Sequence, residues 1–387
     1  MHKSSHSRSS GHRIHLPTLV ATAALLLCAG GAQAQSPAPQ AGGTINIGAV
    51  LPLTGPSATV GEDIRRGVMM GVDKVNEQGG VLGKKLHVIV EDSGNNPTSA
   101  LSAARKLANV DKVPAVMGEY SSSITLPMAQ YLVKEGVTHM NIGSSSIKVK
   151  TLGDTAFNLI GLEDAGNKYA AKDMHAMGKR NVAVIAPNNA YGQGVAEGFK
   201  KEFEALGGKV ATELLYTGGQ STYRRELQQL SRSKPDAYLY TAYGQESAVI
   251  NREASELGLR DVPWYAYIMS MSVSDTPADI AQGQIGMELG SVKGDLGKAY
   301  SEAFTKKFNG PFKTAFNGYA YDAVLMLAAA MNKAGGATSA DVQKGLKQVS
   351  ADGFVGVTGP IKFDAGRQRI DPPYDMLKYD AGKLIAR

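Results

Sequence analysis

Two clusters of hydroxyl side chains hold the residues best placed for chemistry in this chain. Tyr120-Ser121-Ser122-Ser123 follows the apolar run AVMG and precedes an apolar-periodic segment from Ile124, and Ser144-Ser145-Ser146 follows THMNIG. Both patterns read as a strand ending in serines, the first running straight into a helix. Serine hydroxyls and unpaired backbone N–H groups then meet at a positive helix end, which can hold a carboxylate without an arginine. One serine suffices for a helix cap, so triplets at consecutive strand ends point to binding. An apolar counterpart is available in Tyr120, Tyr191, Tyr243, Tyr265, Tyr267, Met269 and Met271, side chains suited to an aromatic ring. Within 264–268, strand alternation sends only half of these to one face.

Bond-making chemistry is poorly supplied. Beyond residue 34 the histidines are His87, His139 and His175, and the single cysteine is Cys28. Neither a G-x-S-x-G elbow nor an H-E-x-x-H pair occurs. Glu91-Asp92 and Glu163-Asp164 adjoin strand or helix ends, where solvation and capping account for them. Residues 79–85 lack the G-K-[ST] ending of a phosphate loop. Gly192-Gln193-Gly194 with Gly198 resembles a dinucleotide fingerprint, but its spacing is G-x-G-x-x-x-G and it stands five residues beyond the strand. The nearest suitable acid, Glu213, lies inside a strand. Glycines that permit close helix packing explain the motif, and no cofactor, metal or enzymatic activity is expected.

The elements that must position the hydroxyls alternate regularly. Residues 44–51 alternate as a strand and lead through a Pro- and Gly-punctuated loop to a helix expected from Glu62, with Glu62 and Asp63 in its first turn. That helix stops at Gly79-Gly80. Strands over 86–90, 115–118 and 138–142 alternate with helices over 97–110 and 123–135. A second set follows 157–160, with helices at 163–178, 193–206, 222–232 and 245–257 and strands at 181–186, 210–216, 237–241 and 264–268. From about Gly290 the pattern becomes helical, at 295–308, 314–334 and 339–349, before ending in strand-like GPIKFD and YDMLKYDAGKLI. Two α/β sets in one chain argue for two doubly wound parallel-sheet lobes.

The N-terminus reads as a cleaved signal peptide over 1–34. Lys3, Arg8 and Arg13 precede a short apolar core, and Ala32-Gln33-Ala34 supplies a small-x-small cleavage pattern, so the mature chain is expected to begin at Gln35. Cys28 follows Leu27 where a lipobox wants a small residue. Without the leader's three basic residues the formal charge falls from +6 to +3. The charges are scattered, which argues against a nucleic-acid partner. The apolar stretch 320–334 is flanked by Asp322 and Lys333 and reads as a buried helix.

Over 44–385 the chain resembles the type I periplasmic solute-binding proteins, in particular the leucine/isoleucine/valine-binding family of ABC transporters. The resemblance is carried by TINIGAVLPLTGP, GEYSSSIT and AYGQG. It implies a periplasmic protein with two lobes joined by a three-strand hinge, crossing near 160, 289 and 360. One lobe is then 44–160 with 289–360, and the other 161–288 with 361–387. It also implies a membrane permease as partner and places ligand contacts on Ser122, Ser123, Ser144, Ser145, Tyr191 and Tyr243.

Three departures bear on the ligand. Val60 replaces the family's first-loop aromatic residue, and the first-lobe disulfide is absent. The acid that pairs with an amino acid's ammonium is expected just after 264–268, where Ile268-Met269-Ser270-Met271 stands instead. A buried ammonium without a carboxylate is costly, so a carboxylate-bearing solute without an α-amino group is favoured, with Tyr120 and Met269 against its body. Asp275 or Glu246 is the substitute acid if the ligand is an amino acid.

Overall fold

The computed structural model describes residues 43–290 and 292–387. The expected leader, 1–34, lies outside the described residues. Two parallel sheets organise the chain. The first contains β1 (Thr44–Leu51), β2 (Lys85–Asp92), β3 (Ala115–Gly118), β4 (Thr138–Asn141) and β5 (Ala156–Asn158), in the order β2-β1-β3-β4-β5. Its strands alternate with α1 (Ala58–Glu77), α2 (Pro97–Asn109) and α3 (Ser122–Lys134). The second set opens with α4 (Glu163–Ala176), β6 (Asn181–Pro187), α5 (Ala190–Ala205), β7 (Lys209–Tyr216), α6 (Arg224–Ser231) and β8 (Ala237–Tyr240). It continues with α7 (Gly244–Glu256), β9 (Trp264–Tyr267), the short α8 (Met269–Val273) and α9 (Ala278–Ala281), and β10 (Ile285–Leu289).

After β10 come α10 (Gly294–Phe308), α11 (Phe316–Ala334), α12 (Ser339–Asp352) and the small hairpin β11 (Phe354–Gly356) and β12 (Gly359–Ile361). The chain ends in β13 (Tyr374–Asp380) and β14 (Lys383–Ala386), an antiparallel hairpin paired to β10. The second sheet therefore runs β14-β13-β10-β9-β8-β6-β7, a parallel core with an antiparallel edge. In both sheets the first strand lies between the second and third. This order makes a switch point, where connections leave in opposite directions and open a crevice beyond the strands' carboxyl ends.

The connection from β10 returns α11 to the first sheet, where it crosses α1. Gly67 and Gly71 permit the approach, because a Cβ on Gly67 would collide with the carbonyl oxygen of Asn317 and one on Gly71 would lie 2.8 Å from Val324. Asp63 anchors the start of α11, accepting hydrogen bonds from the Lys313 and Thr314 N–H groups at 3.0 and 2.9 Å. The first-turn expectation for the acids is thereby corrected. The helix begins at Ala58, four residues before Glu62, so Asp63 is a buried anchor and Glu62 pairs with Arg65 and Arg66. The segment 320–334 falls within α11 and is largely buried, and none of the described helices is long and apolar enough to cross a membrane.

Two further elements differ from expectation. α5 starts at Ala190, three residues early, because the Asn189 side chain accepts the N–H groups of Tyr191 and Gly192 at 3.1 and 3.0 Å. A cap of this kind sets where a helix begins. β10 is a strand that the pattern did not announce, since the central residues of IGMEL include Gly286 and the buried acid Glu288.

Candidate functional site

The switch points of the two sheets face each other. From the first come Tyr120 and Ser122 after β3 and Gly143 and Ser145 after β4, and from the second come Tyr191 after β6 and Tyr243 after β8. Ile268 and Met271 from the end of β9 and from α8, with Phe316 at the first residue of α11, complete the lining of a small cavity. Its volume is about 10 Å³, roughly what one water requires. Tyr120 packs edge-on against Tyr243 and Phe316, with ring centroids 5.6 and 5.1 Å apart.

Two polar atoms in this lining lack a partner. The Tyr120 hydroxyl and Ser145 Oγ are buried and make no hydrogen bond to the described residues. Buried polar groups are nearly always paired, so these two are the clearest open valences for a ligand. The other hydroxyls are tied to one another. Ser144 donates to Ser122 Oγ at 2.9 Å, and the Tyr191 hydroxyl pairs with Thr241 Oγ1 at 2.8 Å.

Of the eight residues singled out in the sequence, five line the cavity: Tyr120, Ser122, Ser145, Tyr191 and Tyr243. Ser144 stands directly behind Ser122. Ser123 turns to the opposite lobe, where its Oγ accepts the Ala190 N–H at 3.2 Å and caps α5. Met269 belongs to the core of the second lobe with Trp264 and Tyr240, while Met271, two residues on, reaches the cavity. The exchange has a geometric cause. Ile268 takes a left-handed turn at φ 60°, so α8 begins at once and its helical spacing replaces strand alternation. Gly143 and Phe316 were not singled out in the sequence, and Ile268 was named there only as the place of a missing acid. Phe316 carried no local signal, because it arrives from an element nearly two hundred residues away in the chain.

The lining carries no formal charge, but three buried acids lie close by. Glu119 accepts from Ser93 Oγ and the Ser121 N–H at 2.8 and 2.6 Å, and Glu163 accepts the Ile147 N–H at 2.9 Å. Glu288 accepts the N–H groups of Ser270 and Leu289 at 2.5 and 2.8 Å. Burial pushes each of the three up to about 7. The two candidate substitutes for an ammonium partner are placed elsewhere. Glu246 is occupied by the Gly219 N–H and the Tyr216 hydroxyl, and Asp275 lies against Gly244. The glycine motif is also explained: a Cβ on Gly194 would strike the Glu163 carboxylate and one on Gly198 the Asn167 side chain, so α4 and α5 pack closely there. No group of three potential metal ligands exists among the described residues.

A two-lobed α/β chain with a polar cleft between its switch points is the architecture of a solute receptor. The chain belongs to the periplasmic binding protein family, whose match extends over residues 44–383. Members of that family are periplasmic solute-binding proteins rather than enzymes, and this chain is one of them. A Leu/Ile/Val-binding protein of Rhizobium johnstonii is 28% identical over 358 residues, covering 90% of this chain and 95% of that protein. A leucine-, isoleucine-, valine-, threonine-, and alanine-binding protein of Pseudomonas aeruginosa is 28% identical over 83% of this chain and 86% of its own. Among solved structures, a leucine binding protein from Thermotoga maritima superposes with a TM-score of 0.80 at 21% identity, over 89% of this chain and 97% of its own. An R. palustris solute binding protein in complex with benzoate gives 0.79 at 18% identity, over 89% and 95%. At these identities the superpositions establish the fold.

Proposed function

We propose that the protein captures a small carboxylate-bearing solute, an aromatic or aliphatic acid, between its lobes and delivers it to an ABC permease. The lobes are 44–160 with 289–360 and 161–288 with 361–387. One observation carries the ligand class: the cavity is lined by serine hydroxyls, tyrosines, Ile268, Met271 and Phe316, with no acidic side chain to meet an ammonium. Ser122 and Ser145 receive the carboxylate, and the aromatic wall receives the body of the solute. Contacts made by both lobes with the same ligand favour the closed form over the open one. The benzoate bound by the R. palustris neighbour is in keeping with this class.

The amino-acid reading has one observation in its favour. Glu288 lies close enough to Tyr120 and Tyr191 to raise both phenols further, beyond what burial does. Its carboxylate is held by two backbone N–H groups, which leaves it a poor partner for an ammonium. A thermal-shift screen followed by calorimetry separates the readings, because a ligand of the folded form at about 100 times its Kd stabilises by about 2.7 kcal/mol. Benzoate, 4-hydroxybenzoate or a simple aliphatic acid is expected to bind more tightly than leucine, isoleucine or valine. Sub-micromolar leucine binding overturns the proposal. Secretion is tested by mass spectrometry of the periplasmic fraction, where a mature N-terminus at Gln35 is expected and a lipid-modified Cys28 refutes the cleavage.

A further inference from the structure

Outside the cleft, at the β5 edge of the first sheet, a second cavity of about 290 Å³ opens between the end of α12 and the chain that follows β12. It shares no residue with the cleft cavity. Its chemistry is also different. Lys347, Lys362 and Arg367 line it against a single acid, Asp364. Neither Lys347 nor Lys362 has a carboxylate within ion-pair distance among the described residues. Arg367 gives Nη2 to Asp154 at 2.6 Å, but its Nε is buried without a partner. Ser350 Oγ accepts the Phe363 N–H at 2.7 Å, so its proton remains free to donate. Phe157 and Phe363, packed edge-on with centroids 5.4 Å apart, form an apolar wall beside these donors.

We infer that this cavity is a second binding site, for a small organic anion that carries an aromatic or otherwise apolar body. The cations and the Ser350 hydroxyl hold the anionic head, and the phenylalanines pack on the body. The position gives such a ligand leverage on the lobes. Arg367 accepts the Asn158 N–H at 2.9 Å through its backbone, and Arg369 returns an N–H to Asn158 at 3.1 Å. Asn158 ends β5, where the chain first leaves the first sheet, and 362–373 carries it back to the second for the last time. An occupant of the cavity therefore braces two of the three connections between the lobes. Occupancy is expected to change the cleft's affinity for its own solute without touching it.

Phenyl phosphate and inorganic phosphate serve as probes, since they share a head group and only the first has a ring. Calorimetry on the full mature chain is expected to show phenyl phosphate binding, phosphate binding more weakly, and a loss of at least about tenfold for Lys347→Glu with Lys362→Glu. Both lysines are exposed, so this variant is expected to melt like the parent. Ser122→Ala with Ser145→Ala in the cleft is expected to leave phenyl phosphate binding unchanged, which separates failure here from failure of the cleft assignment. Binding that survives the charge reversal, or that disappears with the cleft serines, overturns the inference. So does the absence of binding up to about 10 mM. Equal affinity for the two probes removes the apolar body and refutes the proposed ligand class.

Discussion

The two walls of the cleft stand at equivalent switch points yet are built from different materials. The first lobe presents short hydroxyls around the start of α3, with Ser122 and Ser145 at the cavity and Ser144 supporting Ser122, beside two rings of its own, Tyr120 and Phe316. The second presents long phenols, Tyr191 and Tyr243, held by side-chain partners such as Thr241 and Asn189. Short side chains near a helix start define a point for a charged head. Rings define a surface for an apolar body. The serines are therefore confined to one wall, while the rings come from both and meet where Tyr120 packs on Tyr243.

The sharpest way to break this division is Ser122→Ala with Ser145→Ala. Each lost hydrogen bond to a charged group costs about 1.5 to 3 kcal/mol, so a calorimetric loss of at least about 100-fold is expected. Ser144 loses its acceptor in that variant, and a melting curve separates the stability cost from the binding defect. Unchanged affinity would reduce these serines to structural parts.

The second lobe offers a paired test within one short helix. Met269→Ala empties part of a packed core and is expected to cost about 2 to 5 kcal/mol of stability with little change in affinity. Met271→Ala removes a cavity wall and is expected to alter ligand preference with the smaller stability loss. Denaturant melts and competition binding on the two proteins decide this, and a reversed pattern would place Met269 in the site.

Proton linkage gives a smaller effect. Glu119, Glu163 and Glu288 have folded-state values near 7 against an ordinary 4.5, so between these limits the unfolded chain has released protons that the folded chain retains. Stability contributed by these groups falls as pH rises from about 4.5 to about 7, and then levels off. Glu288→Gln is expected to flatten part of that fall in a series of thermal melts. A slope identical to the parent's would show that Glu288 titrates normally.

The smallest effect is expected from Ile268→Glu, which sets a carboxylate into the lining where an ammonium would meet it. Preference should move from acids toward amino acids, though modestly, because a grafted charge lacks supporting partners. Comparing benzoate and leucine affinities in both proteins measures the shift.

Local signals were enough for most of the scaffold. The apolar run 115–118 is β3 residue for residue, because a fully buried run of four residues, closed off by Pro114 on one side and polar residues on the other, is too short for a helix. The Gly79-Gly80 stop and the serine triplets at two strand ends were legible for similar reasons. The family itself was legible too, since its motifs are short runs of neighbouring residues. Ambiguity arose wherever a partner distant in the chain set the outcome. Asp63 looked like a first-turn acid until Thr314 showed what it binds, and Glu288 concealed a strand because a buried acid breaks the apolar alternation.

What the sequence determined by itself was therefore the alternation of elements, their approximate limits, the hydroxyl clusters and the poor supply of catalytic groups. Each of these depends on residues within about one turn or strand of one another. Only the tertiary structure decided which of those groups share a cavity. Ser123 was turned to cap α5, Met269 gave way to Met271 through a single left-handed residue, and Phe316 was carried to Tyr120 by the crossing of α1 and α11. Side-chain direction depends on the phase of a helix and the register of a strand, and those are set by packing between elements that the order of residues does not place side by side.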